Sequence, residues 1–121
     1  MYSIKKEVIG AFIEAAKHTF PQEFIGMLGG KKEEKIVDEL IIVPAVFGDT
    51  FSTIQMHLVP FDPNYVGTAH SHPSHSNMPS RQDIKTFSKT GQIHLIACHP
   101  FDLNNLQAFN QKGENVKIKI I

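Results

Sequence analysis

The sequence predicts an α/β protein, a layered mixed β-sheet of about six or seven strands flanked by one long and one short helix. Three observations carry this. Residues 4–16 bear apolar side chains at Ile4, Val8, Phe12 and Ala16, with Ile9 and Ile13 beside them, an i, i+4 stripe along one helical face. Later segments instead read as short continuous apolar runs or as period-two alternation. Gly, Pro and Asn clusters separate them, with no internal repeat and no composition shift, so residues 1–121 form one domain.

In chain order, Ser3 is placed to cap the first helix, with Lys6 or Glu7 in its opening turn. The helix should stop near Thr19, because Pro21 disfavours α geometry just before it. Phe24–Gly30 reads as a buried strand or a helix-to-strand transition, and Lys31–Lys35 as a charged turn. Ile36–Val43 is a strand that Pro44 ends, and Phe51–Leu58 alternates with one face wet. Tyr65–His70 opens the next strand, and Arg81–Lys89 forms the short helix, with Ile84, Phe87 and Ser88 inward and Gly91 past its end. Ile93–Cys98 is a core strand, and Asp102–Asn105 turns the chain into Leu106–Asn110. Val116–Ile120 alternates as a last strand whose lysines suit an edge.

Composition excludes several classes. Twelve basic residues balance twelve acidic ones, which argues against nucleic acid as a partner. The single cysteine, Cys98, excludes a disulfide framework within the chain and a Cys-rich zinc knuckle, and fits a cytoplasmic setting. Glu7 precedes any long apolar run, so the start is not expected to be a signal peptide, and no run suits a membrane span.

Chemistry concentrates in residues 65–84. His70 and His72 are two apart on a strand, so both face one side, about 6–7 Å from each other, while Ser71 faces the other. Pro73 then ends the ladder for want of an N–H. Asp83 could return as a third ligand, leaving a fourth position for water, as in catalytic zinc sites. Ser80 and Asp83 share a face of a helical first turn, but Ser80-Arg81-Gln82-Asp83 also reads as a capping box, and spacing does not choose between these readings. A hydrolytic metal needs a base for its water. Of the glutamates, Glu33, Glu34 and Glu114 sit in charged turns, Glu7 and Glu14 on the wet side of the first helix, and Glu39 beside a strand. Glu23 opens an apolar run, where partial burial would raise a carboxylate's pKa towards a useful value.

Three segments together, Pro21-Gln22-Glu23-Phe24-Ile25-Gly26-Met27-Leu28, His70-Ser71-His72-Pro73 and Ser80-Arg81-Gln82-Asp83, resemble the JAMM family, also called MPN+ or Mov34-type metalloproteases. Its pattern is a distant Glu, His-X-His-Pro, six residues, Ser, two residues and Asp, and residues 74–79 supply the six. The likeness spans nearly the whole chain and implies a minimal, prokaryotic-type member with the JAMM/MPN (cytidine-deaminase-like) architecture. It implies that His70, His72 and Asp83 bind one zinc ion per chain, that Glu23 holds the water and acts as general base, and that Ser80 donates a hydrogen bond to the oxyanion. It implies cleavage of peptide or isopeptide bonds after the C-terminal Gly of ubiquitin or ubiquitin-like modifiers. An extended Gly-Gly tail could pair by β-augmentation, a contact placed on the Phe51–Met56 segment, with Phe51, Ile54 and Met56; His75, two residues outside the pattern, either lines the cleft or is an exposed loop histidine, the reading its loop composition favours.

Other readings remain. His70, His72 and His75 echo a metallo-β-lactamase motif, but Ser74 stands where that motif needs Asp. Cupins need a nearby Glu, and deaminases need His-X-Glu with Pro-Cys-X-X-Cys; both are absent. Many relatives in this fold family lack the ligands and serve as scaffolds, and processing of a ubiquitin-like sulfur carrier stays open, as does a homodimer through the first helix or an edge strand. Of the remaining histidines, His57 and His94 suit structural roles in strands, His18 a helix end and His99 a turn before Pro100; Cys98 is expected to be buried and inert.

Overall fold

The computed structural model describes residues 1–42 and 64–121. The expected strand at Phe51–Leu58, with the tail-pairing residues Phe51, Ile54 and Met56 and the structural histidine His57, lies outside them. Strands are β1 (Tyr2–Ile4), β2 (Ile25–Lys31), β3 (Ile36–Ile42), β4 (Tyr65–His72), β5 (Ile93–Cys98), β6 (Leu106–Phe109), β7 (Asn115–Val116) and β8 (Ile118–Ile120); helices are α1 (Lys6–Thr19) and α2 (Arg81–Phe87). The strands form one mixed sheet in the order β7-β6-β5-β4-β2-β3-β1-β8.

The first turn of the chain differs from expectation. Ser3 does not cap a helix; with Ile4 it lies in β1, paired in parallel with both β3 and β8. Helix α1 begins after Lys5, whose side chain makes no capping bond. Ile4 fits the helical stripe by spacing, but full burial in the sheet takes it instead. The remaining stripe behaves as read: Val8, Ile9, Phe12 and Ala16 are buried, and α1 ends at Thr19. Each large apolar side chain so buried contributes roughly 1.5–3 kcal/mol.

The C-terminal segment also differs. A single edge strand was expected over residues 116–120, but Lys117 divides it, so that β7 pairs β6 while β8 pairs β1 at the other end of the sheet order. One intervening residue spans at most about 7 Å. The sheet must therefore curl until its two ends meet at Lys117, and the strand count rises to eight among the described residues.

Strand alternation sorts the core onto two faces. Ala69, Leu95 and Ala97 pack with α1 and with Phe24, Leu28 and Phe101 on one side. Ile25, Ile96, Phe87 and Phe109 form a smaller cluster on the side of α2. Phe87 is fully buried and Ile84 half-buried, as α2's expected inner face requires, but Ser88 is exposed and follows the helix as its C-cap.

The crossover β4–α2–β5 joins two parallel strands in register His70↔Ile96 and His72↔Cys98. In such a unit the C-terminal ends of the strands and the start of the connecting helix converge, which is where open α/β sheets hold ligands. The crossover packs tightly at its return. Gly91 has φ +120°, and a Cβ there would meet the Val66 carbonyl; a Cβ on Gly67 would fall on the Ile93 carbonyl oxygen. Gly67→Ala therefore forces β4 and β5 apart. We expect a loss of at least about 2 kcal/mol in urea unfolding, in the range of severe core changes, and Gly10→Ala, where a Cβ meets nothing within 4 Å, serves as the tolerated control.

Candidate metal centre

His70 and His72 stand on the last three residues of β4, on the α2 face, with Ser71 between them. Strand β2 runs antiparallel beside β4 with Ile25 opposite His70. Just past that pair the two chains stay locked: Phe24 N–H donates to Ser71 Oγ at 2.8 Å, and Ser71 N–H donates to the Phe24 carbonyl at 3.0 Å. Continuing the register puts Glu23 across from His72, and the Glu23 charge acts on the His72 ring. Glu23 is half-buried, with one carboxylate oxygen shut off from solvent. The semi-buried carboxylate thus lies beside the histidine-bearing end of β4, held there by the Phe24–Ser71 contact that spans 47 residues of sequence.

Helix α2 brings the third group. Ser80 Oγ accepts from Asp83 N–H at 3.0 Å, and Ser80 N–H donates to Asp83 Oδ2 at 2.9 Å, a reciprocal capping box built with Asp in the place usually taken by Glu or Gln. The same Oδ2 lies 3.4 Å from His70 Nε2 and 3.2 Å from His72 Nε2. The two readings of Ser80 and Asp83 are therefore compatible, because an ionised carboxylate oxygen accepts from several directions. Ser80 is exposed, and with Asp83 N–H filling one lone pair its O–H proton remains available to donate.

The donor set fits a small tetrahedral cation. His70 Nε2 and His72 Nε2 are 3.1 Å apart, so the three donor atoms form a triangle with edges of 3.1, 3.2 and 3.4 Å. Ligands about 2.0–2.1 Å from a tetrahedral zinc stand roughly 3.3 Å from each other. Two imidazoles and a carboxylate, converging this closely in a buried corner, are the donors such an ion takes. His72 Nδ1 donates to the Ser76 carbonyl at 2.9 Å, which fixes the ring and reserves Nε2 for the cluster.

The electrostatics agree. Burial works against the Asp83 carboxylate, but hydrogen bonds from His70, His72 and the Ser80 backbone hold its pKa far below the ordinary carboxylate range. Burial lowers the pKa of His70 more than Asp83 raises it. Burial opposes the charged form of His72 too, yet Asp83, the Ser76 carbonyl and Glu23 together raise its pKa.

Behind the ligands lies a support that spacing did not reveal. His94 donates from Nε2 to the Gly91 carbonyl at 2.9 Å, so Nδ1 is its acceptor nitrogen and takes the Thr68 hydroxyl at 2.7 Å. Its ring stacks on Phe87, with centroids 4.1 Å apart, and Phe87 lies one helical turn beyond Asp83 and 6.2 Å from the His70 ring. His94 is thus a satisfied structural histidine, as its strand position suggested, and Cys98 is buried. His75 is exposed, its ring edge-on to His99 at 5.3 Å rather than among the three ligands. The sequence signal for the His94 support would have been Thr68 and His94 at matched positions of parallel strands, a pairing visible only once the register is known.

Comparison with known proteins gives a consistent picture. The family of prokaryotic homologs of the JAB domain matches residues 5–111. A probable metalloprotease of Haloferax volcanii is 32% identical over 120 residues, spanning 92% of this chain and 74% of that protein. A JAB1/MPN domain protein from Archaeoglobus fulgidus superposes with a TM-score of 0.79 at 36% identity, covering 100% of this chain and 99% of that one. A structure presented as JAMM, a metalloprotease-like zinc site in the proteasome and signalosome, gives a TM-score of 0.79 at 34% identity, covering 100% and 98%.

Three outcomes follow from this geometry. Burial depresses the His94 pKa to about 4, so the folded protein keeps the ring neutral while the unfolded chain protonates it near 6.5. The resulting stability is complete above pH 6.5 and is lost as pH falls from there through about 4, to a limit of roughly 3 kcal/mol. Urea midpoints measured across that window should fall less in His94→Gln than in the parent. His72→Ala should abolish stoichiometric divalent-metal binding read by isothermal titration. Ser80→Ala should retain metal and lose about 1 kcal/mol, the usual worth of an N-cap.

Proposed function

The chain belongs to the prokaryotic JAB-domain family, and on that premise we propose that it is a zinc-dependent peptidase that hydrolyses the bond after the C-terminal Gly of ubiquitin-like small modifier proteins, in peptide or isopeptide linkage. The observation that carries this reading is the convergence of His70, His72 and Asp83 within hydrogen-bonding distance of one another, with Glu23 across the strand pair from His72. His70 Nε2, His72 Nε2 and Asp83 Oδ2 would hold the zinc, one per chain. Bound there, zinc supplies Lewis acidity and a coordinated water whose pKa is near 7.

The chain's own residues do the rest. Glu23, with one oxygen sealed from solvent and its charge acting on the His72 ring, takes the proton from the attacking water. The same carboxylate delivers that proton to the departing nitrogen, so that an acid and an amine leave. The Ser80 hydroxyl donates to the carbonyl oxygen as negative charge builds there, a contribution of a few kcal/mol in comparable sites. Asp83 N–H holds Ser80 Oγ, so the hydroxyl is oriented before substrate arrives. An extended Gly-Gly tail suits the site because no side chain keeps its carbonyl away from the buried ligands. Partners on this reading are ubiquitin-like modifiers and their conjugates rather than nucleic acid, and no described helix is long and apolar enough to cross a membrane.

The test is incubation with ubiquitin-like conjugates, with and without a chelator, read by intact mass. The parent should release free modifier only when metal is present. Glu23→Ala should bind zinc as the parent does and lose turnover by roughly 10²–10⁴-fold, the range for a general base; cleavage at the parent's rate would remove Glu23 from this role. Protein that binds no zinc and cleaves nothing would leave the scaffold reading in its place.

A further inference from the structure

Beside the metal centre lies a group of rings that the chemistry above does not use. The Phe20 ring lies 4.6 Å from His99, tilted by 40°, His75 and His99 meet edge to face at 5.3 Å, and Phe101 makes edge contacts with both Phe20 and His99. We propose that Phe20, His99 and His75 form a shelf that binds the apolar stem of the group leaving on the amine side of the scissile bond. The proposal rests on the hydrolytic reading above and extends it to the choice of leaving group.

The position of the shelf is set by backbone bonds to the site itself. His99 N–H is shared between the carbonyls of His72, at 3.3 Å, and Ser74, at 3.0 Å. Phe20 lies three residues before Glu23 on the same loop. The shelf therefore joins the metal-bearing strand to the segment that carries the base. Hydrolysis breaks the C–N bond while water's oxygen bonds to the carbonyl carbon, and the proton Glu23 removes goes to the nitrogen. A group that protonates the nitrogen must lie within hydrogen-bond reach of it. The amine side of the substrate thus passes on the Glu23 side, over Phe20 and His99, while the carbonyl oxygen turns to Ser80.

The shelf is built rather than incidental. Phe101 adopts φ 65°, a left-handed conformation that costs a non-glycine residue stability. It is held there by its N–H bond to the Cys98 carbonyl at 2.8 Å, and its ring is buried under the shelf. Phe20, by contrast, is 42% exposed, an aromatic surface kept in water next to the site. An amide-linked lysine has lost its charge and presents an unbranched methylene stem, the kind of apolar surface that lies flat on rings.

A series of isopeptides tests this, with a constant Gly-Gly acyl part joined to the side-chain amine of lysine, ornithine, diaminobutyrate or diaminopropionate. In the parent, kcat/KM should fall as the stem shortens, by up to about fourfold per methylene. In Phe20→Ala this dependence should flatten, so that the lysine-to-diaminopropionate ratio drops roughly tenfold. His75→Ala, at an exposed position, should act in the same direction and covers a Phe20 variant that fails to fold. As a binding readout, the ring C–H resonances of His75 and His99 in Glu23→Gln should shift on adding the lysine-branched peptide. A stem dependence that is flat in the parent or unchanged in both variants, or resonances that stay still, would overturn the shelf and leave the hydrolytic reading standing. Failure of the metal-loaded parent to cleave any member would overturn the hydrolytic reading, and the shelf with it.

Discussion

One oxygen of Asp83 carries more of this structure than any other atom. It accepts the Ser80 N–H that starts α2 and faces the Nε2 atoms of His70 and His72 at the end of β4. Helix start and metal centre are therefore the same set of contacts. The short helix could not rotate or slide by a residue without losing both its cap and the third donor. That coupling explains how a helix of seven residues holds a ligand in place, since isolated helices of this length are not stable in water. The other anchor is Phe87, one turn further on, stacked against His94 and packed with Ile25, Ile96 and Phe109.

Strand β4 is the second constraint. From Val66 to Ser71 every residue is buried, with β2 on one side and β5 on the other. An antiparallel partner and a parallel partner do different work. The antiparallel one, β2, brings a residue from before its own start, Glu23, to the end of β4 where the histidines are. The parallel one, β5, requires a crossover, and that crossover is α2 with Asp83 on it. The three donors and Glu23 thus arrive at one point from three separate segments of the chain. The ring shelf extends the same logic, because the turn after β5 returns to the end of β4 through the His99 N–H.

Much of the site could be read from residue types and spacing. His-X-His on a strand ended by Pro73 puts two imidazoles on one face whatever the partners, and Ser80 to Asp83 is a helix start in any fold. Glu23 stood out among the glutamates because it opens an apolar run. What spacing could not decide was whether Ser80 and Asp83 only cap the helix or also serve the site; the cap is formed, and the Asp83 oxygen that accepts from Ser80 N–H also lies within 3.4 Å of both histidine Nε2 atoms. Misread elements fail for a common reason. Ser3 fits a helix cap and Ile4 a helical stripe, and Val116–Ile120 fit one alternating strand, but both segments complete a sheet whose other members lie far away in sequence. Local pattern records burial, and does not record which partner provides it.

Periodicity, a local property, was enough to read the class of fold and the α1 stripe with its end at Thr19, and the likeness to the JAMM pattern singled out His70, His72, Asp83, Glu23 and Ser80. Long-range packing set the rest: the sheet curls until its ends meet at Lys117, Glu23 comes across from His72 through the Phe24–Ser71 lock, His94 and Thr68 brace the helix from behind, and Phe20, His75 and His99 assemble beside the site. These depend on strand register and on which chain ends meet, and register is set by the simultaneous burial of faces contributed from the whole chain.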